Sequence, residues 1–207
     1  MKSNPLLLLA TGLLLSVGSA SAALYHVSID TSALTLPANS GSGPFSLDFQ
    51  LNSGATTGNN TATISNFNFG GGGGPFDTAT LIGGASGSLP GTITLTDTNA
   101  FNEFYQSFTA GSVISFDLNL TENIDSGAIP DSFSFSILDG SLANIPTTGF
   151  GDTLLQVDIA AGSNVNLSSA TGSYAGVSVT AVPEPSSALL GLVAVAGGVL
   201  RRRRRSA

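Results

Sequence analysis

Twelve of the chain's thirteen carboxylates lie between Ala23 and Ala181, a stretch with one histidine, His26, and no lysine, arginine or cysteine. That inventory limits the chemistry available. Without thiols there is neither a thiolate zinc site nor a disulfide. A Ser-His-acid hydrolase would have to use His26 as its base. No Gly-x-Ser-x-Gly sequence occurs, and His26 falls on the polar side of the first expected strand, where a surface imidazole is the simpler reading. The run Gly70 to Gly74, followed by Pro75, lacks the Lys and Ser or Thr of a phosphate-binding loop and reads as a flexible surface loop. Paired carboxylates could hydrolyse glycosides. With Glu103, Glu122 and so many aspartates, spacing selects no pair, and the absence of tryptophan removes the usual sugar-stacking platform. No catalytic residue is assigned.

Calcium is the better-matched ion, since it takes about six to eight oxygens from carboxylates, amides and main chain. Asp97-Thr98-Asn99 and the segment Glu122 to Gly127, with Asp125 inside it, concentrate such oxygens in expected loops. Neither has EF-hand spacing or a Gly-Gly-x-Gly-x-Asp repeat. Turns in which Asn and Asp serve the backbone account for both segments better than a metal site does. Asp97, Asn99, Glu122 and Asp125 therefore stand as weak calcium candidates, and the expected cofactor is none.

The elements that must position these groups read as all-β. Tyr25, Val27 and Ile29 alternate with polar residues, as do Phe45, Leu47, Phe49 and Leu51, then Ile93 and Leu95, and Ile114 through Leu120. Phe133, Phe135 and Ile137 follow, then Leu155, Val157 and Ile159, and Val177 with Val179. Ile64 and the pair Phe67 and Phe69 have opposite parity, which a bulge near Ser65-Asn66 would reconcile. Phe101, Phe104, Tyr105 and Phe108 follow helical spacing, so one short helix is expected over Asn99 to Phe108, capped by Thr98 or Asn99. The expected fold is a single antiparallel β-sandwich, jelly-roll-like, closed at one end by that helix.

Charge divides the chain differently from hydropathy. All six basic residues sit at the extremities, Lys2 in front and Arg201, Arg202, Arg203, Arg204 and Arg205 behind. The middle carries close to twelve negative charges and offers nucleic acid no counterion-releasing surface. Cations, neutral glycans and basic proteins are compatible partners; solubility alone also explains the acidity.

The two ends read as export devices. Lys2, the apolar stretch Leu6 to Val17 and the small residues Ala20-Ser21-Ala22 form a signal peptide over residues 1–22, with cleavage after Ala22. At the other end Val182-Pro183-Glu184-Pro185 precedes an apolar run, Ser186 to Leu200, and the arginines. As a helix that run extends about 22 Å, short of the roughly 30 Å hydrocarbon core. The basic anchor, Arg201, Arg202, Arg203, Arg204 and Arg205, resists translocation and holds the terminus in the cytoplasm. The exported domain between the two ends is expected over 23–181, and the C-terminal unit over 182–207.

The order of these parts, from Val182-Pro183-Glu184-Pro185 through a short transmembrane helix to a terminal Arg cluster, resembles the PEP-CTERM sorting signal. The resemblance implies export through the Sec machinery and cleavage near the motif by an exosortase, a membrane-embedded cysteine transpeptidase. It further implies transient membrane anchoring, then the cell surface or an extracellular polysaccharide matrix as destination. Tyr25 to Thr31, Phe45 to Phe49, Ser88-Leu89-Pro90-Gly91 and Phe101-Asn102-Glu103-Phe104 also resemble a PEP-CTERM family of unassigned function. The expectation is an exported, non-enzymatic surface or matrix protein. A secreted carbohydrate-binding module or adhesin, calcium-dependent or not, is the alternative.

Overall fold

The period-two patterning governs the fold. The computed structural model describes residues 22–39, 41–54, 58–124, 129–160 and 164–183. In chain order the strands are β1 (Ala22–Asp30), β2 (Phe45–Asn52), β3 (Thr61–Asn68), β4 (Gly74–Pro75), β5 (Thr80–Ile82), β6 (Ala85–Gly87) and β7 (Ile93–Thr96). They continue with β8 (Phe101–Thr109), β9 (Val113–Thr121), β10 (Asp131–Leu138), β11 (Leu155–Ile159), β12 (Asn164–Leu167) and β13 (Ser178–Pro183). One antiparallel sheet has the order β13-β1-β9-β3-β7-β6; the other runs β12-β11-β10-β2-β8-β4, with β5 also on β8. From β1 to β4 successive strands change sheet, and so do β7, β8, β9 and β10.

The inward positions are those the alternation selects. Val27, Ile29, Ile64, Ile93, Leu95, Ile114, Phe116, Leu118 and Leu120 from the first sheet meet Leu47, Phe49, Leu51, Phe133, Phe135 and Val157 from the second. Each such side chain contributes about 1.5–3 kcal/mol by leaving water. Phe49 is the hub: its ring centroid lies 4.9 Å from that of Phe135 in its own sheet and 5.3 Å from that of Phe116 across the core.

The parity conflict in β3 resolves as a bulge. Pairing with β9 runs Ser65 to Asp117, then jumps to Asn68 with Ser115, so two residues oppose Phe116. Asn66 takes a left-handed φ of 52° there, a conformation asparagine tolerates well. The extra residue turns Phe67 inward, where its ring stacks parallel on Phe116 at 5.7 Å.

The expected helix over Asn99 to Phe108 is not formed; that stretch is strand β8, paired with β2 from Phe45–Phe108 through Asn52–Phe101. The inward row is Asn102, Phe104, Gln106 and Phe108, all buried. Two of these four are amides, while Phe101 and Tyr105 point the other way, so the apolar residues mimic helical spacing. Asn102 Nδ2 donates to the carbonyls of Leu51 and Asn99, and its Oδ1 accepts from Gly84 N. Gln106 donates to Asp77 O and accepts from Leu89 N. These bonds fasten the segment before β7 to the sandwich, which is why the core accepts two amides.

The glycine run is more constrained than a free loop. A Cβ on Gly73 would collide with Phe69 O and Gly111 N, so the turn packs against the β8–β9 connection.

Candidate functional site

Antiparallel pairing of β1 with both β9 and β13 brings the chain's two exits together. Ala22 opens β1 opposite Thr121, and Pro183 closes β13 opposite Tyr25. Both exits therefore lie at one end of the first sheet. Of the expected sorting motif, Val182 and Pro183 are the last residues of β13, with Val182 opposite His26. A proline is tolerated there because β13 is an edge strand. The rest of the motif, Glu184 and Pro185, lies outside the described residues, as does the apolar run. So do all five residues of the expected basic anchor, Arg201, Arg202, Arg203, Arg204 and Arg205. Ala20 and the bulk of the expected signal peptide lie outside them too. Among the described residues no helix is long and apolar enough to cross a membrane.

The same end holds a buried polar knot. Asn60 N donates to Asp97 Oδ2 at 3.0 Å, and Asn60 Nδ2 donates to Asp131 Oδ2 and to Asn123 O, both at 2.8 Å. Its Oδ1 accepts from Asn123 N and from Thr121 Oγ1. Gly54 N completes Asp131 Oδ1 at 2.7 Å. One amide thus uses its full donor and acceptor capacity to join loops of both sheets. Asp97 and Asp131 are also hydrogen-bonded to each other; burial first, then the neighbouring carboxyl, raises the Asp97 pKa against the pull of Asn60 N–H.

The knot draws in only part of the calcium-candidate set. Asp97 is buried within it, but its partners are Asn60 and Asp131. Asn99 is exposed and donates to Thr98 Oγ1, while Asn123, next to Glu122, enters through its backbone. Asp125 lies outside the described residues. No group of three or more His, Cys, Asp or Glu is placed to hold a metal among the described residues. Asn60 and Asp131 carried no metal spacing in the sequence; their pairing depends on the register of β3 and β10.

A second carboxyl pair sits on the outer face of the second sheet. Asp48 on β2 and Glu103 on β8 are hydrogen-bonded, and Gln50 Nε2 donates to both, at 2.8 Å and 3.3 Å. Asp48 is buried, and its Oδ1 has no hydrogen-bond partner. Burial, then the charge of Glu103, pushes its pKa up to about 7. Reading β8 as a helix concealed this pair, because only the β2–β8 register brings Glu103 beside Gln50 and Asp48.

His26 pairs across strands with Asp117: its Nδ1 lies 2.8 Å from Asp117 Oδ1, and Asn66 Nδ2 donates to Asp117 Oδ2 at 2.7 Å. Those two bonds, Asn66 first, lower the Asp117 pKa. The imidazole is half exposed on the outer face of the first sheet.

No protein-family model, curated protein or solved structure matches the chain.

Proposed function

We propose that this chain is an exported surface or extracellular-matrix protein, non-enzymatic in itself, whose C-terminal unit is processed by an exosortase-type transpeptidase. In this reading the Sec machinery exports it and Ala20-Ser21-Ala22 marks the signal cleavage. The apolar run Ser186 to Leu200 then holds it in the membrane, with Arg201, Arg202, Arg203, Arg204 and Arg205 on the cytoplasmic side. The two-sheet domain is classed as jelly-roll-like because β1-β9-β3-β7 and β2-β8-β4 are filled by strands that alternate between sheets.

The observation that carries the reading is the placement of the exits. Ala22 and Pro183 leave one end of the first sheet, so the expected leader and tail can both reach one membrane surface without crossing the domain. The acidic body, lacking lysine and arginine from Ala23 to Ala181, has no cation that would oppose translocation. Its negative charge also keeps it off anionic headgroups once outside. Val182 is exposed near the end of an edge strand, so the start of the expected motif is not enclosed by the domain.

Intact-mass measurement of the mature protein from a host with the sorting enzyme tests this. The expected product begins at Ala23 and has lost Arg201 to Arg205. A mature chain that keeps those arginines would overturn the processing step.

A further inference from the structure

A neutral polar cleft lies on the outer face of the second sheet. The register aligns Gln50, Ser134, Gln156 and Asn166 in one row across β2, β10, β11 and β12. Over this row stands the turn Gly149 to Asp152, which presents Phe150 with 88% of its surface exposed. On one side of Phe150 is a cleft of about 270 Å³ floored by Gln50, Ser134 and Ser136; on the other, one of about 640 Å³ reaches Asn166 and Ser168. Phe150, Thr153 and Gln156 border both.

The turn is braced rather than loose. Gly151 and Asp152 are both left-handed, with φ of 63° and 57°. Thr147 N donates to Asp152 Oδ1 at 2.9 Å, Asn144 Nδ2 to Gly151 O at 2.8 Å, and Thr153 Oγ1 to Phe150 O at 3.0 Å. An unfavourable conformation held by this many bonds keeps a large apolar ring in water, a combination associated with ligand sites. Side chains of Ser134 and Asn166 make no hydrogen bond to another described residue, which leaves their donors and acceptors to the clefts, while Ser136 is buried at the floor.

We infer that these joined clefts bind a neutral oligosaccharide, with Phe150 stacking on the C–H face of a sugar ring and the free Ser134 hydroxyl and Asn166 amide of the row bonding its hydroxyls. Three observations converge on that class. No charged residue lines either cleft, although the domain is strongly acidic. Hydroxyls and amides match sugar hydroxyls as both donors and acceptors. The surrounding carboxylates, with no compensating lysine or arginine, disfavour anionic glycans and nucleic acid. The site belongs to the sandwich itself and is independent of how the tail is processed.

Calorimetric titration of the full chain in detergent with cellohexaose, laminarihexaose, mannohexaose and hexa-N-acetylchitohexaose, and with an oligogalacturonate for comparison, tests the assignment. The expected result is saturable binding of at least one neutral hexaose, with weaker or no binding of the oligogalacturonate. Phe150→Ala and Asn166→Ala should each reduce affinity on the order of tenfold. Because both side chains lie outside the core, melting temperatures should stay close to that of the parent chain. Absence of binding to all four neutral hexaoses, tightest binding to the oligogalacturonate, or affinity unchanged in both variants would overturn the proposal.

Discussion

Phe49→Ala should lower the unfolding free energy by about 3–5 kcal/mol, the range for truncating a fully buried phenylalanine. The ring is wholly inaccessible and touches aromatic neighbours in both sheets: Phe104, Phe133 and Phe135 on one side, Phe67 and Phe116 on the other. Two of its inter-sheet contacts are edge-on, a geometry favoured by the ring quadrupole. Removing the hub leaves a cavity that rigid, hydrogen-bonded strands cannot close. The chain contains no cysteine, so no disulfide limits the unfolded ensemble. In a domain of this size the loss corresponds to a fall in melting temperature of roughly 10 °C. Phe150→Ala removes the same side chain from an exposed turn and should change stability by no more than about 0.5 kcal/mol. Denaturant unfolding of the two variants side by side measures the difference. Equal stability would contradict the arrangement of the core.

Asp48→Asn should have the opposite sign, and only at the alkaline end of the range. With its pKa pushed up to about 7, Asp48 keeps its proton in the folded protein over a range in which the unfolded carboxyl has already released it. Folding then binds a proton, so stability falls as pH rises from about 4 to about 7 and levels off above. Asp97, also raised by burial, acts in the same direction. The rise above the ordinary aspartate value corresponds to roughly 4 kcal/mol at full ionisation, an upper figure because Glu103 and Gln50 share the proton's environment. Asparagine keeps the shape, accepts from Gln50 and donates to Glu103 without ionising. The variant should therefore gain roughly 2–4 kcal/mol over the parent at pH 8 and match it closely near pH 4. Urea unfolding at the two pH values decides: a variant no more stable than the parent at pH 8 would show that the buried carboxyl carries no such penalty.

Why such a carboxyl is legible only in part from sequence follows from how strands encode position. Asp48 alternates with Leu47 and Phe49, which puts it on the outer face but says nothing of what lies across from it. Its partner sits on a strand that local pattern misassigned. In β8 the inward row carries Asn102 and Gln106, because the core must hold loop carbonyls and amides there. Phe101 and Tyr105 moved to the other face, and period two was lost. Where inward positions are uniformly apolar, as in β2 and β9, alternation located the strands directly. The β3 bulge was legible for the complementary reason: two apolar runs of opposite parity on one strand require an inserted residue.

Short strands escaped because they lack a core row. In β5 and β6 the residues are partly or fully exposed, and pairing to β8 and β7 defines them rather than burial. The knot at the exits was half visible: Asp97 stood out as an oxygen-rich turn, while Asn60 and Asp131 joined it only through long-range register. The Phe150 turn gave no signal, since a phenylalanine among Gly, Thr and Asp reads equally as core or surface until the sheets are placed.

A sandwich standing outside the membrane, with its basic tail inside, is the central claim. The absence of cysteine makes this directly measurable, since one introduced thiol is unique in the chain. Ser112, exposed on the β8–β9 turn far from the exits, and Ser206, beyond the arginines, are suitable positions. In intact host cells a membrane-impermeant maleimide should label the Ser112→Cys chain, while the Ser206→Cys chain reacts only after permeabilisation or loses its thiol with the tail. Labelling of the Ser112→Cys chain that appears only after lysis would place the acidic domain in the cytoplasm and contradict the account.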